Sequence, residues 1–308
     1  MRGQRAGSGA HLPRPSHLFR GGARGGAGLR RRGNPRVSQA AAQPLVSVVI
    51  PAFQAQASLP AALASIAASG LPPERIEVVL APDDGQRYSD LPEHGLRLVR
   101  CAHHHIATGA GPARNRAIAR AHGGYIAFLD ADDTWAPGYL AALLPLAQRC
   151  GAAFGRTRIL MGGYPLLHLP EPHRQRLDLA DLGRTGASFH PVLRRDLAGP
   201  FADRPSQDVL HTLEVLSLMG GAAPLAPVAY NLHLSPQSAT ADRRFAERVG
   251  QAYTRHITEI TAGRTRISAA HIPAARAAFQ AKARLNRAYM AAGTDRFFYQ
   301  FMQDRLAG

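Results

Sequence analysis

The 308-residue chain holds a single tryptophan, Trp135, a single lysine, Lys282, and two cysteines, Cys101 and Cys150. Two cysteines without metal-ligand spacing exclude a disulfide framework and a cysteine-built metal centre, so both are expected as reduced thiols. No apolar run approaches the length that crosses a bilayer, so no transmembrane helix is expected. The N-terminus lacks the continuous apolar centre of a secretory signal. Acidic residues are missing altogether before Glu74, whereas Arg2, Arg5, Arg14, Arg20, Arg24, Arg30, Arg31, Arg32 and Arg36 crowd the opening segment. Those nine arginines carry more than half of the formal charge of +16, leaving +7 on the rest. With no interleaved aromatic platform to stack bases, the charge does not mark a nucleic-acid partner.

Beyond these absences the chain has a clear order. Residues 1–43 are rich in Gly, Arg, Ser and Pro without periodicity and are expected to be a disordered tail. From Leu45 the pattern becomes LVSVVI, a buried strand closed by Pro51, then a helical run after Ser58 that stops at Gly70. IEVVLA (Ile76 to Ala81) and LRLVRC (Leu96 to Cys101) read as further strands. Pro112 opens a helix that Gly123 and Gly124 close. The strand Tyr125 to Leu129 follows, and a helix spans about Pro137 to Arg149. Strands alternating with helices predict an α/β fold with a mainly parallel sheet covered on both faces. After residue 150 the alternation loosens: Ala152 to Leu160 and Ala226 to Ser235 read as extended, Asp208 to Met219 as helical. Residues 44–240 are therefore assigned to one domain and 241–308 to an amphipathic helical extension with Arg on its polar face.

YIAFLDADDTW poses the chemical question, since Asp130, Asp132 and Asp133 fall within four positions at the end of a buried strand. Like charges so close resist burial, and folding alone gives no reason to cluster them. On a parallel sheet ligands sit beyond the carboxyl ends of the strands, where Asp83 and Asp84 also fall. A helix-capping turn is the plain alternative. IAFLDADDT also matches the DxDxT opening of the haloacid dehalogenase phosphatases, but three strands precede it here, and the downstream lysine such enzymes need is restricted to Lys282.

Taken in order, VSVVIPAFQAQASLPAALASI, Asp83-Asp84-Gly85 and GAGPARNRAIARAHGGYIAFLDADDTW resemble the family 2 glycosyltransferases over about Pro44 to Arg158. Each motif alone is weak; the set at these spacings is specific. The resemblance implies a GT-A-type nucleotide-sugar fold, with a donor half at about 44–160 and an acceptor half at about 161–240. It implies Pro51 and Phe53 beside the nucleoside, Asp83 or Asp84 on base or ribose with Asp84 preferred, and Arg114 and Asn115 near the diphosphate. Asp130 and Asp132 become the DxD pair holding Mn2+ or Mg2+, hard ions suited to carboxylate oxygens. Gln54 stands where the family more often has Asn.

An inverting mechanism also needs a carboxylate base, which the resemblance assigns to Asp208 in Ser206-Gln207-Asp208, with Asp203 and Glu214 as rivals. His190, His233 and the stretch Tyr230-Asn231-Leu232-His233 are expected toward the acceptor and diphosphate. The implied reaction moves a sugar from a nucleotide-diphosphate donor to a glycan or lipid-linked acceptor. The implied setting is cell-envelope or exopolysaccharide assembly in the cytoplasm, with peripheral membrane contact through the basic surface. A non-catalytic nucleotide-binding module of the same fold is the alternative. His103-His104-His105 reads as a polar loop, because consecutive residues on an extended segment point to alternate sides.

Overall fold

Val46–Ala52 forms β1, buried throughout except at Pro51, as a strand flanked by helices on both faces must be. The computed structural model describes residues 43–102, 104–235 and 243–307. The predicted tail therefore lies outside the described residues but for Gln43, and so does His103. Within them, β1 is followed by α1 (Leu59–Ala67), β2 (Ile76–Pro82), β3 (Arg97–Arg100), α2 (Ala110–Arg120), β4 (Tyr125–Phe128) and β5 (Thr134–Trp135). Next come α3 (Tyr139–Cys150), β6 (Ala152–Met161), β7 (Tyr164–Leu169), β8 (Arg176–Asp178), the short α4 (Asp181–Arg184), β9 (Pro191–Arg194) and α5 (Gln207–Leu218). β10 (Ala222–Leu234), α6 (Arg243–Thr261), α7 (Ile272–Ala292) and α8 (Phe298–Ala307) complete the chain.

The strands join in one sheet, ordered β3-β2-β1-β4-β9-β6-β10-β5, with β7 beside β6 and β8 beside β10. β3, β2, β1 and β4 are mutually parallel. β9 opposes both β4 and β6, so β6, and β10 parallel to it, run with the first four. The mainly parallel expectation holds for those six strands. Period-two alternation sends neighbouring residues to opposite faces. Val48, Ile50, Val78 and Leu80 pack with α1 and α3, while Val49, Val79, Ile126 and Phe128 join the core beneath α2, α5 and the C-terminal helices.

Several sequence expectations need adjustment. Ser58 precedes α1 without capping it through its side chain; its Oγ donates to the Ala55 carbonyl at 3.3 Å. Pro112 is the third residue of α2 rather than the first. The short strands β5, β7, β8 and β9 carried no legible pattern, and the last is four residues inserted mid-sheet. β2 also buries a carboxylate, Glu77, which accepts from Ser47 Oγ at 2.6 Å and from the His122 backbone N–H. Gly123 N–H donates in turn to Ser47 Oγ at 2.8 Å. A Cβ at Gly123 would meet the Ser47 backbone nitrogen at 2.6 Å, so the close of the α2–β4 turn requires glycine.

The C-terminal helices belong to one compact unit with the other described residues. α6 buries Ala246, Val249, Ala252, Tyr253, His256 and Ile260, the spacing of an amphipathic helix. α7 packs against α6 and α4, and α8 against β7. Among the described residues no helix is long and apolar enough to cross a membrane. Cys101 and Cys150 are free thiols, the first buried and the second exposed.

Candidate active site

The three aspartates after β4 occupy three different environments. Asp133 is buried, accepting from the Tyr230 hydroxyl at 2.8 Å and from the His233 backbone N–H at 2.9 Å, so it pins β10 to the turn. Burial, then the charges of Asp132 and Asp130, push its carboxyl well above the usual range. The Asp130 side chain is 31% exposed and pairs with Arg114 Nη2, with His190 Nε2 at 3.9 Å on its other oxygen. Burial alone would raise Asp130, but the Arg114 charge and then His190 hold it below the ordinary value. Asp132 is exposed, and partial burial with the neighbouring Asp130 charge pushes its carboxyl upward.

Arg114 reaches this cluster from α2. It is 1% exposed, lies over the Phe201 ring at 5.3 Å, and leaves Nε and Nη1 buried without partners among the described residues. Asn115 does not join it. Its amide exchanges two hydrogen bonds with the Phe201 backbone, at 2.9 and 2.8 Å, acting as a strut between α2 and the loop before α5. That strut is tight: a Cβ at Gly111 would meet the Ala202 carbonyl oxygen at 1.9 Å.

At the opposite end of the opening, the paired aspartates after β2 separate. Asp83 is buried and saturated, accepting from Thr108 Oγ1, from Gly109 N–H at 2.8 Å and from Arg116 Nη2 at 2.8 Å. It fixes the loop that leads into α2 and has no oxygen turned to a ligand. Asp84 lies nearer solvent and accepts from Gln54 N–H at 2.7 Å and the Tyr88 hydroxyl at 2.6 Å. Burial works against that carboxylate, but the Tyr88 bond and two backbone bonds outweigh it and lower its pKa. Phe53 is 53% exposed and Ile106 66%, and Ile106 forms a bridge to Asp84. Two exposed apolar side chains flanking a half-buried carboxylate make a surface suited to a flat polar ring. Pro51 is half-buried at the end of β1. Gln54 sits at φ of 50°, the left-handed region where Asn is tolerated better than Gln.

Asp208 stands in the first turn of α5, half-buried, following Ser206 at φ of 60°. Its charge acts on Arg114 and His190 on one side and on Lys282 and Tyr299 on the other. His190 stacks on Tyr230 with ring centroids 4.7 Å apart, and burial keeps it neutral to lower pH than usual. The rivals fall away from the cluster: Asp203 is exposed and held by Arg204, and Glu214 is locked to Arg266 at 3.0 Å. His233 Nε2 meets Thr134 Oγ1 at 2.9 Å. Tyr88, Arg116 and Phe201 had no sequence signal, because each acts across loops with no fixed spacing to the motif it supports.

Among the described residues no group of three or more His, Cys, Asp or Glu forms a ready metal cage. Asp130 and Asp132 nevertheless offer hard oxygens, and burial first and the Asp130 charge second raise the pKa of Asp132, both of which a cation would offset. One or two carboxylates are what Mg2+ takes from a protein when substrate phosphates supply the remaining ligands. The residues present fit an ion that arrives with a diphosphate.

The chain is similar to several known proteins. Residues 47–189 match the model of glycosyl transferase family 2. TuaG of Bacillus subtilis (strain 168), named as a glycosyltransferase of teichuronic acid biosynthesis, is 31% identical over 143 residues, 42% of this chain and 54% of its own. WfgD of Escherichia coli, named as a UDP-Glc:alpha-D-GlcNAc-diphosphoundecaprenol beta-1,3-glucosyltransferase, is 27% identical over 127 residues, 40% of this chain and 47% of its own. The chain thus spans about half the length of these relatives. Among solved structures, S. aureus TarS 1–349 with UDP-GlcNAc superimposes with a TM-score of 0.56 at 17% identity, covering 77% of this chain and 72% of that one. The same protein with UDP gives 0.53 at 19% identity, over 76% and 70%. The fold is of the GT-A type, and residues 47–189, just under half of the chain, carry the similarity to glycosyl transferase family 2.

Proposed function

We propose that the protein transfers a sugar from a nucleotide-diphosphate donor to an acceptor hydroxyl with inversion at the anomeric carbon. The observation that carries this reading is the buried Arg114 paired with Asp130, with His190 at 3.9 Å, at the carboxyl ends of the parallel strands, within the reach of the Asp208 charge. The nucleoside would lie against Phe53 with Asp84 toward its base or ribose. Its diphosphate would extend toward Asp130 and Asp132, which would hold a divalent cation. Bound there, Mn2+ or Mg2+ supplies Lewis-acid neutralisation of the leaving diphosphate. Asp208 accepts the proton of the acceptor hydroxyl as its oxygen attacks the anomeric carbon and the nucleoside diphosphate leaves. Arg114 keeps Asp130 ionised, and Asp133 with Tyr230 holds the turn rigid.

Asp83 and Asn115, both consumed in loop support, are proposed as positioning residues rather than donor contacts. The relatives named for teichuronic acid biosynthesis and for glucosyl transfer to GlcNAc-diphosphoundecaprenol support an acceptor that is a glycan or a lipid-linked sugar. Exposed Arg248, Arg255, Arg284 and Arg287 on α6 and α7 suit peripheral contact with an anionic membrane at its cytoplasmic face. The test is nucleoside-diphosphate release from UDP-, GDP- and dTDP-sugars with Mn2+ or Mg2+, for wild type, Asp132→Asn and Asp208→Asn. Donor-specific release, reduced roughly 100- to 10,000-fold in Asp208→Asn, is expected. Nucleotide binding without release under any of these conditions favours the non-catalytic module instead.

A further inference from the structure

The C-terminal helices close more than a core. Between α6, α7, α8, the Gly186–Ser188 loop and the start of α5 lies a cavity of about 150 Å³. Asp208 forms part of its wall, together with Tyr253, Lys282, Asn286, Phe298 and Tyr299. An enclosed cavity of roughly that volume takes a benzene-sized ring, and this one is open on one side, which leaves room for the substituents of a larger ring.

The polar groups facing this space are incompletely used. Lys282 is 3% exposed, and its ammonium donates to the Gly186 and Ala187 carbonyls at 2.7 and 2.9 Å. That accounts for two of its three N–H groups. No carboxylate among the described residues lies within ion-pair distance of it. Burial lowers its pKa to about 8, against the opposing pull of Asp208. Tyr299 is 6% exposed, and among the described residues nothing hydrogen-bonds its hydroxyl. Asn286 uses Nδ2 on the Ala246 carbonyl at 2.9 Å, leaving its side-chain oxygen as an acceptor. Buried polar groups are normally satisfied, so donors and an acceptor left open around one aromatic-walled space point to a ligand that completes them.

We infer that this cavity is the acceptor subsite, taking a single pyranose ring. In it one ring hydroxyl faces Asp208, and others are read by Lys282, Asn286 and Tyr299. The aromatic walls present faces to the C–H side of the ring, the usual division between apolar packing and a few placed polar groups. Lys282 and Asp208 contribute opposite charges, so the lining suits a neutral sugar. The inference rests on the transferase reading for the word acceptor, but the ring-binding itself does not depend on turnover.

The test therefore measures binding without donor. Methyl hexopyranosides, neutral and N-acetylated, would be titrated into the full chain and followed by saturation-transfer NMR. Nucleoside-diphosphate binding would be measured separately on the same wild-type protein. Lys282→Met is expected to weaken the best glycoside roughly 10- to 100-fold, and Tyr299→Phe by roughly 2- to 10-fold. Should Lys282→Met fail to fold, Tyr299→Phe decides, since it keeps the ring and removes only the hydroxyl. Glycoside binding that ignores both substitutions, or nucleotide binding with no glycoside bound at any soluble concentration, overturns the subsite. Glycoside binding sensitive to both variants, in a protein that binds no nucleoside diphosphate, upholds the sugar site and retires the transferase reading.

Discussion

Arg114→Met removes the guanidinium that offsets Asp130 while keeping much of the side-chain volume over Phe201. Arg114 is almost wholly buried and Asp130 is about one-third exposed, so the pair is dry on one side and partly screened on the other. Breaking a fully buried ion pair costs about 3–5 kcal/mol, most of it from the charge left uncompensated. The exposure of Asp130 places this case at the low end, near 3 kcal/mol. At about 2–3 °C per kcal/mol, the melting temperature at pH 7 should fall by roughly 6–9 °C. Adding Asp130→Asn should restore most of the loss, because the stranded charge is then gone. The sign with pH follows from the lowered pKa of Asp130. Its contribution is present above the unfolded carboxylate value, near 4, and is lost as pH falls through the folded value, so the two proteins should converge in acid. Differential scanning fluorimetry across pH, with the double-mutant cycle, is the assay. A melting temperature within about 1 °C of wild type at pH 7, or strictly additive single substitutions, would refute the argument.

Three further outcomes follow from the same geometry. Asp132→Asn should leave the metal-free protein as stable as wild type or slightly more so, and should abolish the rise in melting temperature that Mn2+ with UDP produces; a retained rise would remove Asp132 from the metal site. Gly111→Ala should destabilise by about 1–3 kcal/mol and weaken nucleotide binding, since its methyl must displace the Ala202 carbonyl and the Phe201 strut. An unchanged urea midpoint would show that the α2 contact is slack. His211 is buried between Phe201 and Phe128, with burial lowering its pKa to about 3. The unfolded chain takes up that proton near pH 6.5 and the native one refuses it, so stability should drop by about 4–5 kcal/mol between pH 7 and pH 3. His211→Phe should flatten that slope in urea titrations at each pH.

The strands that carry the donor half were legible because they are continuous apolar runs ended by Pro, Gly or Asp. β1, β2 and β4 begin and end within two residues of the sequence expectation. In the acceptor half α5 and much of β10 were legible too, whereas β7 and β9 were not, because β9 is four residues and β7 exposes its first two side chains. Such strands are fixed by the neighbours they pair with rather than by a pattern of their own. At the site, residue type was legible and allocation was not. Asp83 and Asp84 are adjacent and chemically identical, and only the arrival of Thr108, Gly109 and Arg116 at one of them consumes it. Asn115 reads as a phosphate ligand in the motif and folds as a backbone mimic. Lys282 stood out only as a rarity, and its place beside Asp208 depends on a helix more than seventy residues away in sequence.

The clustering of carboxylates after β4 now has a physical account. Asp133 is bound into the protein by Tyr230 and β10, and burial first, then the charges of Asp132 and Asp130, raise its pKa. Asp130 is compensated by a buried arginine that solvent and salt screen little. Asp132 is left exposed, with a carboxyl pushed up by partial burial and by Asp130. Replacing Asp132 by an uncharged residue would ease that repulsion, so stability gives no reason for the charge to be there. A divalent ion carried in on a diphosphate does, since it lowers the energy of both exposed oxygens at once and asks for no rearrangement of the buried pair. On the proposed reading the substrate completes a site that is rigid on the Asp133 side, compensated at Asp130 and exposed at Asp132.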